Sequence, residues 1–251
     1  MKLTPVLAVP ALALLGLAAV AQPAAAQMPL GDSGLTLTVT PNVATDYLFR
    51  GISQTRNRPA VQGTLDLQHD SGFYVGGFAS NVTFPGSNAR QELDLAAGYR
   101  FAVGDATFDV GGIYYTYPGY DKAPGSYEYN YVELLLKGSY TLDPVKFVGT
   151  VAYSPDFYFE SGTGIYVEGG ADVTLPGAFS LGGRLGYQWI ERNPRYGAPD
   201  YANWAVTVSR ELAAGVTLTV GYYDTSLSKS ECFAGTKLCD ARAMVTLSRI
   251  F

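Results

Sequence analysis

Leu35-Thr-Leu-Thr-Val-Thr-Pro-Asn-Val-Ala-Thr-Asp-Tyr-Leu-Phe-Arg-Gly51 changes character at every residue. Its odd positions read Leu35, Leu37, Val39, Pro41, Val43, Thr45, Tyr47 and Phe49. Its even positions read Thr36, Thr38, Thr40, Asn42, Ala44, Asp46, Leu48 and Arg50. Successive side chains of a strand point to opposite faces, so a period of two builds one apolar and one polar face. Pro41 lacks the amide a ladder needs, and a bulge or break is expected there. One strand cannot say which face meets water. In a soluble sheet the apolar face is core; in a membrane barrel it meets lipid and the polar face looks inward.

Eleven further segments continue the pattern, at 59–69, 72–83, 91–103, 105–117, 127–141, 145–155, 163–175, 178–190, 201–212, 215–226 and 241–251. Strands of soluble sheets average about 5–6 residues, whereas a tilted membrane strand needs about 9–11. The connections alternate in length. Short ones centre on Asp70-Ser-Gly72, Val103-Gly-Asp105, Asp143-Pro144, Pro176-Gly177 and Ala213-Ala-Gly215, all tight-turn chemistry. Long ones are Ile52–Arg58, Phe84–Arg90, Pro118–Ser126, Asp156–Gly162, Glu191–Asp200 and Leu227–Asp240. Short periplasmic turns and longer external loops are the rhythm of outer-membrane barrels. The expectation is an all-β, antiparallel, up-and-down transmembrane barrel of about 12 strands with both termini periplasmic. The last segment ends on Phe251, preceded at alternate places by Arg249, Leu247, Val245 and Ala243. A terminal aromatic on an alternating strand resembles the assembly signal of such barrels, although Arg249 stands where an apolar residue is usual.

Aromatic residues test that topology independently. On the apolar face Phe73, Tyr99, Phe101, Phe108, Tyr140, Phe147, Phe179 and Phe251 fall at the short-turn ends. Tyr47, Phe49, Tyr114, Tyr153, Tyr187, Trp189, Trp204 and Tyr222 fall at the long-loop ends. Between them stand Leu95, Val110, Leu134, Leu136, Val151, Val167, Leu185, Val206 and Val220. Two aromatic girdles around an apolar band match the two headgroup levels of a bilayer. A soluble sandwich or lipocalin-like barrel would also alternate, but would need neither the girdles nor the loop rhythm.

The N-terminus sets the compartment. Lys2, the apolar run Val6–Val20 and the small residues of 21–26 read as a secretory signal peptide, cleaved before Gln27. Residues 1–26 are thus expected to be removed, leaving 27–251 as one outer-membrane barrel domain of a Gram-negative bacterium. The net charge of −5 argues against nucleic acid as a partner. The only two cysteines, Cys232 and Cys239, are expected to pair in an oxidising compartment. Without a neighbouring histidine they supply too few ligands for a metal site.

Parity names the expected lumen: Asp46, Arg50, Asp66, Glu92, Asp94, Arg100, Asp109, Glu133, Lys137, Glu168, Asp172 and Arg184, joined by Gln68, Lys146, Gln188, Glu211 and Arg242. A charge at the lipid midplane costs about 2–4 kcal/mol for Arg or Lys, so these groups belong inside. Inward Leu48, Ile113 and Leu135 suggest local constriction. Two arrangements compete: a narrow aqueous passage whose acidic excess favours cations, and a closed interior in which acids and bases pair.

Asn42-Val-Ala-Thr-Asp-Tyr-Leu-Phe-Arg-Gly-Ile-Ser-Gln-Thr55, with Pro59–Gly63, Ser71–Gly76 and Ser80–Val82, resembles the proteobacterial TorF family of proposed porins, formerly a family of unknown function. Asp46-Tyr47, Phe49-Arg50-Gly51 and Ser53-Gln54 carry the likeness over about residues 40–100; beyond, it rests on Glu92-Leu-Asp94 and the Gly-Tyr strand pattern. The resemblance implies an outer-membrane barrel of porin type, with no catalytic residue or agreed substrate. Asp46 and Arg50 share the inward face of one strand, four residues and about 13 Å apart, too far to pair. Each is then expected to pair across the barrel, Arg50 with an acid such as Asp66 or one on the closing strands. The competing reading is that Arg50-Gly51 only anchors the first loop.

Enzyme chemistry has little support. The sole histidine, His69, sits at a turn beside Asp70 and Ser71, and neighbours on a strand point apart. No Gly-x-Ser-x-Gly elbow, His-Glu-x-x-His or P-loop occurs. The expected function is passage of small polar solutes through a narrow charged lumen, without cofactor. The alternative is a closed structural or adhesion barrel acting through its external loops. Expected partners are outer-membrane lipid, lipopolysaccharide and, during assembly, the barrel-insertion machinery; the oligomeric state stays open.

Overall fold

The computed structural model describes residues 27–251; the expected signal peptide, 1–26, lies outside the described residues. Along the chain, a two-residue stub β1 (Met28–Pro29) precedes β2 (Leu35–Ala44). A small separate hairpin follows, β3 (Leu48–Phe49) and β4 (Ile52–Ser53). Then come β5 (Ala60–His69), β6 (Phe73–Asn81), β7 (Gln91–Val103), β8 (Ala106–Thr116), β9 (Tyr131–Leu142), β10 (Val145–Ser154), β11 (Gly164–Leu175), β12 (Phe179–Ile190), β13 (Tyr201–Glu211), β14 (Val216–Thr225) and β15 (Arg242–Arg249). From β5 to β15 each strand pairs antiparallel with its neighbour, while β2 pairs with both β5 and β15, which closes a wall of twelve strands. Helix among the described residues is confined to the single turn α1 (Asn193–Tyr196) and short 3-10 turns.

The closing seam is short. β15 pairs with β2 only at Thr246–Ala44, Leu247–Val43 and Ser248–Asn42. Val39 and Phe251 extend it by exchanging backbone hydrogen bonds of 3.0 and 2.8 Å. β1 then covers what remains, with Met28 opposite Leu37 and Pro29 opposite Thr36. A closed barrel has no open strand edge, and here the last residue and the N-terminal stub supply the missing partners. Pro41 causes no break: it stays in register opposite Gly63, and its absent amide falls beside the gap in the β2–β15 ladder.

The first wall strand is shorter than its alternation suggests. It ends at Ala44 rather than running to Gly51. The Thr45 amide donates to Val245, and residues 46–53 leave the wall. Tyr47 and Phe49 therefore do not join the long-loop girdle; Tyr47 is buried and Phe49 half-buried. The period of two survives because the inner hairpin is itself extended chain.

Outside, the wall is apolar. Leu95, Val110, Leu134, Leu136, Val151, Val167, Leu185, Val206 and Val220 are all exposed. At the short-turn end Phe73 meets Tyr99 at 4.8 Å between ring centres, Tyr99 stacks on Phe101 at 5.8 Å and Phe101 on Phe108 at 5.3 Å, a continuous aromatic arc across three strands. Tyr114, Tyr153, Tyr187, Trp189 and Tyr222 stand exposed toward the opposite end. Such a surface suits hydrocarbon between two headgroup layers.

Candidate functional site

Inside the wall the residue types invert: buried positions are acids, bases, amides and hydroxyls alternating with the exposed aliphatics. The inner hairpin crosses this interior. Its turn is Arg50-Gly51, both with positive φ (48° and 82°), as a two-residue turn that follows strand twist requires. Gly51 has no substitute: a Cβ there would lie 2.6 Å from the Thr225 methyl.

Asp46 fixes the hairpin's root. One carboxylate oxygen accepts the Tyr47 amide (2.8 Å) and the Ser53 and Thr55 hydroxyls (2.7 and 2.6 Å). The other pairs with Arg242 of β15 at 2.6 Å, and Arg242 also donates to the Asn57 side chain. Arg50 fixes the tip. It donates to Glu133 of β9 (2.7 Å), on the wall opposite the seam, and to Gln188 of β12 (2.6 Å). Its guanidinium lies 4.6 Å from the Phe49 ring centre and 4.2 Å from that of Tyr166. Arginine suits this seat because one planar cation can donate in several directions while its face packs on aromatic rings. Tyr166 lies so close over Gly186 that any Cβ there would collide with its hydroxyl.

Two further ionic groups line the wall toward the short-turn end. Arg100 grips Asp66 through two hydrogen bonds (2.9 and 2.8 Å), reaches Gln68 (2.8 Å) and Asp109 (3.3 Å), and lies over Tyr74, whose hydroxyl donates to Asp109. Arg184 forks onto Asp172 at 2.9 and 2.7 Å. Asp66 is thus taken by Arg100, and the expected Arg50–Asp66 pair does not form. Nor do Asp46 and Arg50 sit on a wall strand; both belong to the segment turned inward. Glu92 accepts the Tyr47 hydroxyl, and buried Asp94 keeps one oxygen without a partner. Lys137 and Glu168 stand outside these ion pairs on either side of Thr150 in the register of β9, β10 and β11.

Between hairpin and wall a cavity of ≈ 220 Å³ remains, lined among others by Asp46, Arg50, Glu133, Lys137, Glu168 and Arg184, and narrowed by Leu48, Ile113 and Leu135. At the loop end Cys232 and Cys239 form a disulfide and are buried. His69 lies in an exposed turn, where its Nδ1 meets the Ser71 hydroxyl at 2.7 Å and closes the turn.

Sequence reasoning missed the inward turn. Its signal was present, a two-residue turn ending in Gly between the short segments Leu48-Phe49 and Ile52-Ser53. Arg in place of the usual Asn or Asp at the first turn position hides it. Gln188 and Arg242 were assigned to the lumen by parity, but nothing in the sequence couples them to the hairpin.

A family model described as "Bacterial protein of unknown function (Gcw_chp)" matches residues 29–251. No curated protein matches the chain. Among solved structures, the KdgM porin aligns with a TM-score of 0.57 at 11% identity, covering 85% of this chain and 99% of that one. The NanC porin aligns with a TM-score of 0.54 at 9% identity, covering 85% and 98%. At these identities the likeness establishes the fold, a porin-type antiparallel barrel.

Proposed function

This chain belongs to the Gcw_chp family of bacterial proteins of unknown function, and from that premise we propose that it is an outer-membrane channel passing small polar solutes along a lumen restricted by its own inner hairpin. The observation that carries the reading is the cavity of ≈ 220 Å³ inside the wall, lined by unlike charges and crossed by a hairpin held at root and tip. A polar lumen inside an apolar, aromatic-banded wall is the arrangement of a membrane channel. The TorF resemblance supports it: Asp46-Tyr47, Phe49-Arg50-Gly51 and Ser53-Gln54 are the residues that build the hairpin. In this reading residues 1–26 export the chain and 27–251 are inserted by the barrel-assembly machinery. The long connections then face outward among lipopolysaccharide in a Gram-negative outer membrane. Acids outnumber bases along the lumen, which favours cations mildly.

Planar-bilayer recording tests this. The native protein is expected to give small steady steps with weak cation selectivity, and loosening the hairpin is expected to enlarge them. Silence from both native protein and a hairpin-loosened variant would overturn the proposal. That result would favour the second reading, a closed structural or adhesion barrel. One observation speaks for it: the Arg50–Glu133 contact ties the hairpin to the far wall.

A further inference from the structure

Above the hairpin, at the loop end, lies a second cavity of ≈ 190 Å³ whose chemistry differs from the lumen below. Each of the six long connections contributes a side chain: Gln54, Phe84, Tyr117, Tyr158, Tyr196 and Phe233. No Asp, Glu, Lys or Arg lines it. The rings brace one another edge-on or tilted. Phe84 stands 5.5 Å from Tyr117 and 5.9 Å from Tyr158, and Tyr196 stands 5.4 Å from Phe233. The disulfide between Cys232 and Cys239 closes the connection that presents Phe233. The segment presenting Tyr158 holds Phe159 and Glu160 at positive φ (66° and 52°), a backbone strain that the surrounding packing must repay.

The Tyr158 hydroxyl is buried among the surrounding rings and does not face the open space of the cup. Gln54 brings a side-chain amide to the lining; its Nε2 donates to the Ile52 carbonyl at 2.9 Å, which leaves its Oε1 to accept a hydrogen bond from a ligand.

We propose that this cup is a binding site for a small, uncharged aromatic solute carrying a hydroxyl or amide group, taken up at the channel mouth before the charged lumen. Aromatic walls favour a flat ring, by area and by edge-to-face contact. The missing counter-charge disfavours an ion, which would lose its hydration without compensation. Gln54 supplies the polar end. Binding at the cup is independent of conduction; only the cup's place on a transport path rests on the channel reading.

The test uses the full processed chain in lipid nanodiscs, with empty nanodiscs as control. Two probes share one ring and differ in charge: 4-hydroxybenzamide and 4-hydroxybenzoate. Ligand-observed saturation-transfer NMR reads binding. We expect saturable binding of the amide, with the carboxylate about tenfold weaker or more, equivalent to 1.4 kcal/mol. Gln54→Leu keeps most of the side chain's bulk and removes its polar group, and is expected to weaken binding of the amide about three- to tenfold. Phe84→Ala removes a wall of the cup and is expected to weaken it further. No binding above the empty discs, equal binding of the two probes, or indifference to both substitutions would overturn the assignment. A silent bilayer with intact amide binding would sink the channel reading alone, whereas steady conductance without binding would sink only this one.

Discussion

Arg50 shows how one side chain can hold a barrel's interior in place. It sits at the hairpin tip, and its partners Glu133 and Gln188 are almost fully buried, at 1% and 0% exposure. Removing one member of a buried pair typically costs about 3–5 kcal/mol, because the other charge is left without compensation. Arg50→Ala should therefore free the hairpin tip. Single-channel recording is expected to show larger steps, and the temperature at which the folded band is lost on unheated-versus-heated gels is expected to fall. Unchanged conductance together with unchanged heat stability would show that the tip contact has no role. Arg100 provides the contrast. It is also buried, but its partners Asp66 and Gln68 of β5 and Asp109 of β8 all sit on wall strands, not on the hairpin. Arg100→Ala is expected to lower heat stability by a similar amount while leaving the Arg50 clamp, and so the hairpin position, in place.

At the scale of elements, the inner hairpin and the seam are the two places where local pattern and final structure part. The alternation of 35–51 is the same whether the chain continues up the wall or turns inward, because both are extended. What turns it is a set of contacts far apart in sequence: Asp46 with Arg242, and Arg50 with Glu133 and Gln188. The other wall strands lie within a few residues of their expected spans; β7 occupies 91–103 and β12 179–190. Their alternation is uninterrupted and bounded by turn residues. The 226–241 connection makes its own prediction. Closing a loop of this size by a disulfide constrains the unfolded segment by about 2–3 kcal/mol. Replacing Cys232 and Cys239 by Ser is expected to leave the wall intact on a gel shift but to make this connection the first site cut by an added protease. Equal resistance in both proteins would mean that packing alone orders it.

For the whole molecule, the decisive relation is between wall and solvent. Leu185 lies in the middle of β12 and is 63% exposed, so in a bilayer it faces hydrocarbon. Leu185→Arg is expected to destabilise the barrel by about 2–4 kcal/mol when folding into vesicles is followed by denaturant titration. A neutral result would deny that this wall meets lipid. Sidedness has its own check: Ala123→Cys, in the exposed connection between β8 and β9, should react in intact cells with a membrane-impermeant maleimide. Protection until the cells are broken would place the long connections inside. The strand number and the alternation that puts aliphatics on one face of the wall were legible from the sequence alone, because a period of two is local. Which charges pair, and that residues 46–53 leave the wall to cross the lumen, were decided only by the closed barrel. Those contacts join residues 83 to 196 positions apart, and no local pattern records a partner brought near by closure.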